Sequence, residues 1–461
     1  MLKEGILKSI EEGKLLQGSV HAIRKELNKN PKTIIVLDDD PTGTQTVYNV
    51  PVITEWTDEV LEKEILSSSV FFILTNSRSL QIQNANVLAA LIGSRLNKLS
   101  KKHKKELVLI SRGDSTLRGH YPNEVNALAE GLQIPKAKHV LAPAFFEGGR
   151  YTYKNIHYVK EGQEFIPAAK TPFAKDNTFG YLSSNLIDWI LEKTSAIVDP
   201  KNIGSLSIKE LREDSEESLQ SILKKPSISH IIANATSYAD LEKLALIGLQ
   251  SKETIIYRTA ASFVNAITGI TPKNCLTKKE ILGEDSKGGS LLVIGSYVPK
   301  TTLQLNYLKE NTKAIFLELD VTNVLNTAVF KKEIEKLISR VNSNLEKGED
   351  VVLFTSRTII KGVSQVKSLE IVNLVSNGLI RIVKELSCTP KYIIAKGGIT
   401  SSDVATKALR VKRAFVMGQA LKGVPVWQLG KESKFPKMPY IIFPGNVGDE
   451  KALYELLKIL K

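Results

Sequence analysis

The sequence predicts an α/β protein made of two three-layer α/β domains with mostly parallel sheets. Three observations carry that expectation. Short apolar runs alternate with helical periodicities through both halves of the chain, the pattern of parallel strands buried on both faces. A polar, glycine-containing break at Pro272–Gly289 separates two such series. The length of 461 residues exceeds what one hydrophobic core usually serves.

Taken in order, the first half offers strands at Thr33–Leu37, Val70–Leu74, Leu107–Ser111, His139–Ala142, His230–Ala233 and Thr254–Tyr257. Helical patterns at Asn84–Lys98, Asn123–Gly131 and Asp240–Leu249 fall between or after them. The stretch Asn155–Asp199 breaks the alternation, and its aromatic content argues for an ordered excursion rather than a loose connection. The second half restarts with strands at Ser290–Ile294, Ala314–Leu319, Val351–Thr355, Tyr392–Ala395, Arg413–Val416 and Tyr440–Phe443. Long helices are expected at Lys331–Asn344 and Leu369–Leu386. The domain boundaries read from this are 1–271, a linker at 272–289, and 290–461.

Composition narrows the function classes. A 42% hydrophobic and 24% charged chain is ordinary for a globular protein, and no apolar run approaches the roughly 20 residues of a membrane span. The N-terminus carries acids early and resembles no secretory signal. Cys275 and Cys388 are too few and isolated for a disulfide framework or a cysteine zinc site, so a reducing cytoplasm is expected. The net charge of +14 raises the local concentration of anions generally. Its densest run, Lys101–Lys105, has no interleaved aromatic and reads as a solvated helix end, so nucleic acid is not the expected partner.

The chemistry-bearing residues gather at predicted strand ends. Leu37-Asp38-Asp39-Asp40-Pro41-Thr42-Gly43-Thr44-Gln45-Thr46-Val47 follows the first strand. Three adjacent carboxylates repel one another, so a plain turn rarely collects them without a cation, a metal or a proton to move. Asn76-Ser77-Arg78 follows the second strand, and Arg112-Gly113-Asp114-Ser115-Thr116-Leu117-Arg118-Gly119 follows the third. Open α/β sheets bind ligands at this edge. Arginine forks suit a carboxylate, and Asp and Ser suit hydroxyls, so the set fits a small polyhydroxylated acid. An internal salt-bridge network between these arginines and Asp38–Asp40 is the competing structural explanation.

In the second half, Lys396-Gly397-Gly398-Ile399-Thr400-Ser401-Ser402-Asp403 follows a strand and opens a helix. Gly295-Ser296 and Phe443-Pro444-Gly445-Asn446-Val447-Gly448-Asp449 form two more strand-to-helix turns. Glycines let a backbone approach phosphates closely, and helix-start N–H groups attract them. No G-x-x-x-x-G-K-[ST] loop, G-x-G-x-x-G fingerprint, H-E-x-x-H pair or G-x-S-x-G elbow occurs. His120 and His157 lie near the acid segments, but a lone histidine is more often a hydrogen-bonded structural residue than a catalyst.

With these motifs in view, the chain resembles the four-carbon acid sugar kinases. Asp39-Asp40-Pro41-Thr42-Gly43 is similar to that family's opening element, within the longer Asp-Asp-Asp-Pro-Thr-Gly-Thr-Gln-Thr string of one subgroup. Asn76–Arg78, Asp114–Gly119, Thr171–Asp176, Tyr257–Ser262 and the three glycine turns resemble further landmarks, in order along the chain. The resemblance implies ATP- and Mg²⁺-dependent phosphorylation of a hydroxyl on a tetronate, 3-oxo-tetronate or branched oxo-acid such as 3-oxo-isoapionate, in a cleft between the domains. It places Asp39 or Asp40 as the group that deprotonates the acceptor, with Asp39, Arg78, Arg112, Gly113, Asp114 and Ser115 binding substrate, Arg78 and Arg112 holding its carboxylate and Asp114 and Ser115 its hydroxyls. It places Ser296, Gly397, Gly398, Ile399, Thr400 and Gly445 around ATP, and it implies no direct protein ligand to a metal. The composition and the two-domain pattern also suit two rivals: a nucleotide-dependent oxidoreductase acting on a small hydroxy acid, and a basic nucleic-acid-binding protein. The expected partners are the acid and ATP, without a membrane; a homo-oligomer is neither required nor opposed by one chain.

Overall fold

Two helices, Leu2–Leu15 and Val20–Lys29, precede the first strand, which begins at Lys32 and in which Ile34, Ile35, Val36 and Leu37 bury completely or nearly so. The computed structural model describes residues 2–271, 273–284, 287–358, 360 and 365–461. The chain divides into two units, residues 1–272 and 273–461. Pro272, Asp285 and Ser286 of the expected linker lie outside the described residues.

In the first unit the strands are β1 (Lys32–Asp38), β2 (Val50–Ile53), β3 (Val70–Leu74), β4 (Glu106–Arg112), β5 (Lys138–Ala142), β6 (Arg150–Tyr153), β7 (Ile156–Glu161), β8 (Glu164–Pro167), β9 (Ile203–Leu206), β10 (His230–Ala233) and β11 (Ile255–Thr259). The order β2-β3-β1-β4-β11-β5-β10-β9 is parallel throughout. Helices cover the sheet because its central strands are apolar on both faces. Helix Ile82–His103 packs on Asn123–Gly131. The run Lys101–Lys105 ends that longer helix, with Lys104 in the left-handed region as its cap. After β1 the chain builds β2 and β3 on one side of it, then returns to place β4 on the other. The point between β1 and β4 is therefore the topological switch, where such sheets open a crevice.

The excursion expected at 155–199 is ordered. Strands β6, β7 and β8 form a separate antiparallel sheet. Two short 3-10 turns and the helix Leu186–Lys193 follow, and Tyr181, Leu186 and Trp189 bury in the unit's core.

The second unit contains β12 (Leu291–Ile294), β13 (Ile315–Leu319), β14 (Val351–Thr355), β15 (Ile393–Lys396), β16 (Arg413–Leu421), β17 (Val424–Leu429) and β18 (Pro439–Phe443). Its order is β13-β14-β12-β15-β18-β17-β16, parallel through β18 and antiparallel for the last two. The switch here lies between β12 and β15. Both units thus have mostly parallel sheets, as the alternation predicts. Part of the expected linker belongs to this unit, since Leu276 and Ile281 of the short helix Lys278–Leu282 region bury in its core. Among the described residues no helix is long and apolar enough to cross a membrane.

Candidate active site

Four neighbouring strand ends of the first unit build one charged cluster. Asp38 is paired in register with Leu74 of β3 and Arg112 of β4, and Arg112 with Thr259 of β11. Parallel register therefore delivers Asp38–Asp40, Arg78, Arg112 and Arg258 to the same sheet edge. Gly43 folds the acidic turn back under β1: a Cβ there would lie 2.0 Å from Asp38 Oδ2, so only glycine fits. Asp40 caps that turn by accepting from the Thr42 N–H at 2.8 Å.

Arg78 grips Asp39 with both arms of its fork, Nε to Oδ2 at 3.1 Å and Nη2 to Oδ1 at 2.5 Å. Its Nη1 also lies 3.6 Å from Asp40 and 3.8 Å from Asp114. Arg112 donates to Asp38 at 3.2 Å and lies 3.7 Å from Asp39. Arg118 donates to Asp114 at 2.8 Å and meets Asp176 at 3.4 Å. Asp114 also accepts from the Thr116 hydroxyl and backbone. Burial opposes ionisation of Asp114, yet Arg118 and Arg78 hold its carboxyl well below the usual range. Burial likewise opposes the charge on Arg78, and Asp39, Asp40 and Asp114 more than offset it, raising its pKa.

Asp38 behaves differently. It is fully enclosed with one long contact to Arg112, and burial, reinforced by Asp39 and Asp40, pushes its carboxyl up to about 7. A folded pKa above the unfolded value means that this group's stabilising contribution is complete below about pH 4 and disappears as pH rises to about 7. The expected result is a denaturation difference curve between wild type and Asp38→Asn that changes by on the order of 2–4 kcal/mol over that window. A flat difference curve would show that Asp38 is ionised throughout.

The excursion braces the loop after β4. His157, fully buried, reaches the Ser115 carbonyl from Nε2 at 2.8 Å, and Tyr181 donates to the Thr116 carbonyl at 2.8 Å. Burial pushes His157 down to about 4, so it serves this loop as a neutral donor. His120 similarly contacts the Ser77 and Leu80 carbonyls at 3.1 and 3.0 Å. Phe173 lies beneath the guanidinium groups of both Arg118 and Arg150. Ser115 is buried and reaches this network through its carbonyl, and Gly113 lies against Arg258.

The three glycine turns of the second unit converge. A Cβ on Gly295 would lie 2.4 Å from Thr400 Oγ1, one on Gly397 2.9 Å from Ser296 Cβ, and one on Gly445 3.2 Å from Ser296 Oγ. Gly397 has φ +110°, which favours glycine. Gly398 and Ile399 begin the helix Gly398–Asp403, which continues as a π turn over Val404–Ala408. The Ile399 side chain is half exposed, while Thr400 and Ser401 are buried.

Two residues outside the expected set hold this arrangement. Lys396 is fully buried and donates from Nζ to the Pro444 and Gly445 carbonyls at 2.8 and 3.3 Å. Burial, helped by Lys300, pushes it down to about 7. Arg357 donates to the Ser296 carbonyl at 2.7 Å and to Thr355. A lysine ending an apolar strand just before Gly-Gly is the signal that could have marked Lys396; nothing local marks Arg357.

Comparison with known proteins matches this division. A family profile described as a sugar-binding N-terminal domain covers residues 34–267, and one described as a nucleotide-binding C-terminal domain covers 291–453. No curated protein matches the chain. Among solved structures, a Salmonella typhimurium LT2 protein provisionally described as a tRNA synthase is 17% identical, with TM-score 0.69 over 92% of this chain and 98% of that one. The Haemophilus influenzae protein HI1011 is also 17% identical, with TM-score 0.62 over 93% of this chain and all of its own. At that identity the two likenesses speak to the fold alone. The profiles cover most of the sequence in the order found here, and the chain belongs to the family of proteins that join a sugar-binding N-terminal domain to a nucleotide-binding C-terminal domain.

Proposed function

We propose that the protein is a four-carbon acid sugar kinase, transferring the terminal phosphate of ATP to a hydroxyl of a small sugar acid. The observation that carries this reading is the pair of topological switches. One gathers carboxylates and guanidinium groups in the sugar-binding domain, and the other gathers backbone that only glycine permits in the nucleotide-binding domain.

Asp39 is the acceptor of the hydroxyl proton. Arg78 fixes both of its oxygens, orienting the carboxylate before substrate arrives. Asp114 and Ser115 read further hydroxyls, Arg78 and Arg112 set the positive field in which the acid binds, and Gly113 keeps the floor of the site bare. Ser296, Gly397, Gly398, Ile399, Thr400 and Gly445 line the nucleotide, with backbone N–H groups facing its phosphates. Among the described residues no group of three or more His, Cys, Asp or Glu is arranged to hold a metal. Magnesium brought in with the nucleotide would be held chiefly by phosphate oxygens and water, and Asp40 is the side chain that would serve its outer shell. When bound, the ion neutralises charge on the transferring phosphate.

The test is ADP formation from ATP and Mg²⁺ against a panel of four-carbon sugar acids, 3-oxo-acids and branched oxo-acids. At least one acid is expected to raise ADP formation about 100-fold or more over the acid-free rate. No stimulation by any acid would overturn the reading.

A further inference from the structure

The geometry points to Arg258 as the receptor for the substrate's carboxylate, with Gly119 letting Arg258 and Asp39 come close enough for one short hydroxy acid to meet both. The inference rests on the kinase reading and identifies, within its acid site, the group that selects an acid over a neutral polyol.

Three other guanidinium groups of the cluster are paired with carboxylates. Arg78 is clamped on Asp39, Arg112 pairs with Asp38, and Arg118 pairs with Asp114 and Asp176. Arg150 also has no carboxylate partner among the described residues, but it lies against the Phe173 ring and belongs to β6 of the separate sheet, not to the strand ends beside Asp39. Arg258 is 8% exposed, yet among the described residues its one hydrogen bond is from Nη1 to the Ser111 hydroxyl at 2.9 Å, and no carboxylate oxygen comes within 4.0 Å of it. A buried cation without an anion is costly, and a ligand anion is the usual remedy. Strand β11 places it there: Arg258 is in register with Ser111 of β4 and Leu141 of β5, in the middle of the sheet.

The backbone around it is cleared. A Cβ on Gly113 would fall 2.1 Å from Arg258 Nη2, so glycine lets the guanidinium lie flat on that loop. A Cβ on Gly119 would fall 2.8 Å from Arg258 Nη2 and 3.3 Å from Asp39 Oδ2, and apart from its chain neighbours no other heavy atom lies within 4 Å of that point. Gly119 therefore lets the Arg258 guanidinium and the Asp39 carboxylate approach the same face of its backbone, the cation and the proposed base side by side with no side chain between them and this glycine. A carboxylate on Arg258 puts a hydroxyl one or two carbons away beside Asp39. Arg258 and Asp114 also line a small cavity with Thr259 and Trp189. Thr259 Oγ1 and Trp189 Nε1 are buried without a hydrogen-bond partner among the described residues.

The test measures equilibrium binding of L-threonate and D-erythronate, and of threitol and erythritol, to the full chain by calorimetry, alongside ADP formation. Wild type should bind at least one acid tenfold or more tighter than its polyol. Arg258→Gln should lose that preference, weakening the acid at least 30-fold and the polyol less than threefold. Acid affinity within threefold of wild type overturns the assignment. Should Arg258→Gln not fold, Arg258→Lys decides: it keeps the charge without the fork, and must weaken the acid at least fivefold while sparing the polyol; unchanged acid affinity overturns the proposal. ADP formation separates the two claims. Acid-stimulated turnover with the preference intact in Arg258 variants defeats this inference alone, whereas acid binding without turnover defeats the kinase reading.

Discussion

Asp39→Asn should lower kcat by about 10³-fold, within the range set by removing a positioned general base. The substitution keeps the side chain's size and one acceptor oxygen. Arg78 would still have Asp40 at 3.6 Å and Asp114 at 3.8 Å, so its charge would not be left alone. The stability loss should therefore stay at roughly 1–3 kcal/mol, below what an unpaired buried charge demands. Asp40→Asn should do less to kcat, because that carboxylate caps the turn through Thr42 and is the more exposed of the two. Steady-state ADP release, read beside thermal unfolding, checks both. Near-normal turnover in both variants would remove the chemical core of the proposal.

The second large effect is expected at Gly397. Alanine there meets φ +110° and brings its Cβ to 2.9 Å from the Ser296 side chain, so the turn must open. Strain of about 2 kcal/mol at a loop that holds phosphates should weaken ATP about 30-fold. Gly348→Ala is the matched control. Its φ is +81°, but nothing lies within 4 Å of the added atom. It should reduce stability and leave ATP affinity alone. Nucleotide titration of both variants, with unfolding curves, distinguishes a lost site from a weakened fold. Equal ATP affinity in Gly397→Ala and wild type would place the phosphates elsewhere.

Most strands were legible because each is a short apolar run bounded by polar turns: Val70–Leu74, His230–Ala233 and Val351–Thr355 appear with the bounds read from sequence. Val50–Ile53 was not, since four residues including Pro51 carry no periodic signal. The antiparallel β6–β8 hairpins were not, because partly exposed strands with Lys, Glu and Tyr read as irregular. The helix expected at Leu369–Leu386 begins earlier, at Gln365. At the site, the acidic string and the glycine turns stood out by composition. Arg258 sat within a family landmark but carried no assigned role, since one arginine in an apolar strand does not announce which carboxylates its neighbours will claim.

The sequence by itself determined the α/β class and which residue types lie at strand ends. Those follow from hydrophobic period and turn chemistry, which act over a few residues. Only the tertiary structure decided that β1 lies between β3 and β4, that β12 lies between β14 and β15, and therefore which arginine meets which aspartate. Strand order is set by pairings across long stretches of chain, and a local pattern fixes a strand's faces but not its neighbours.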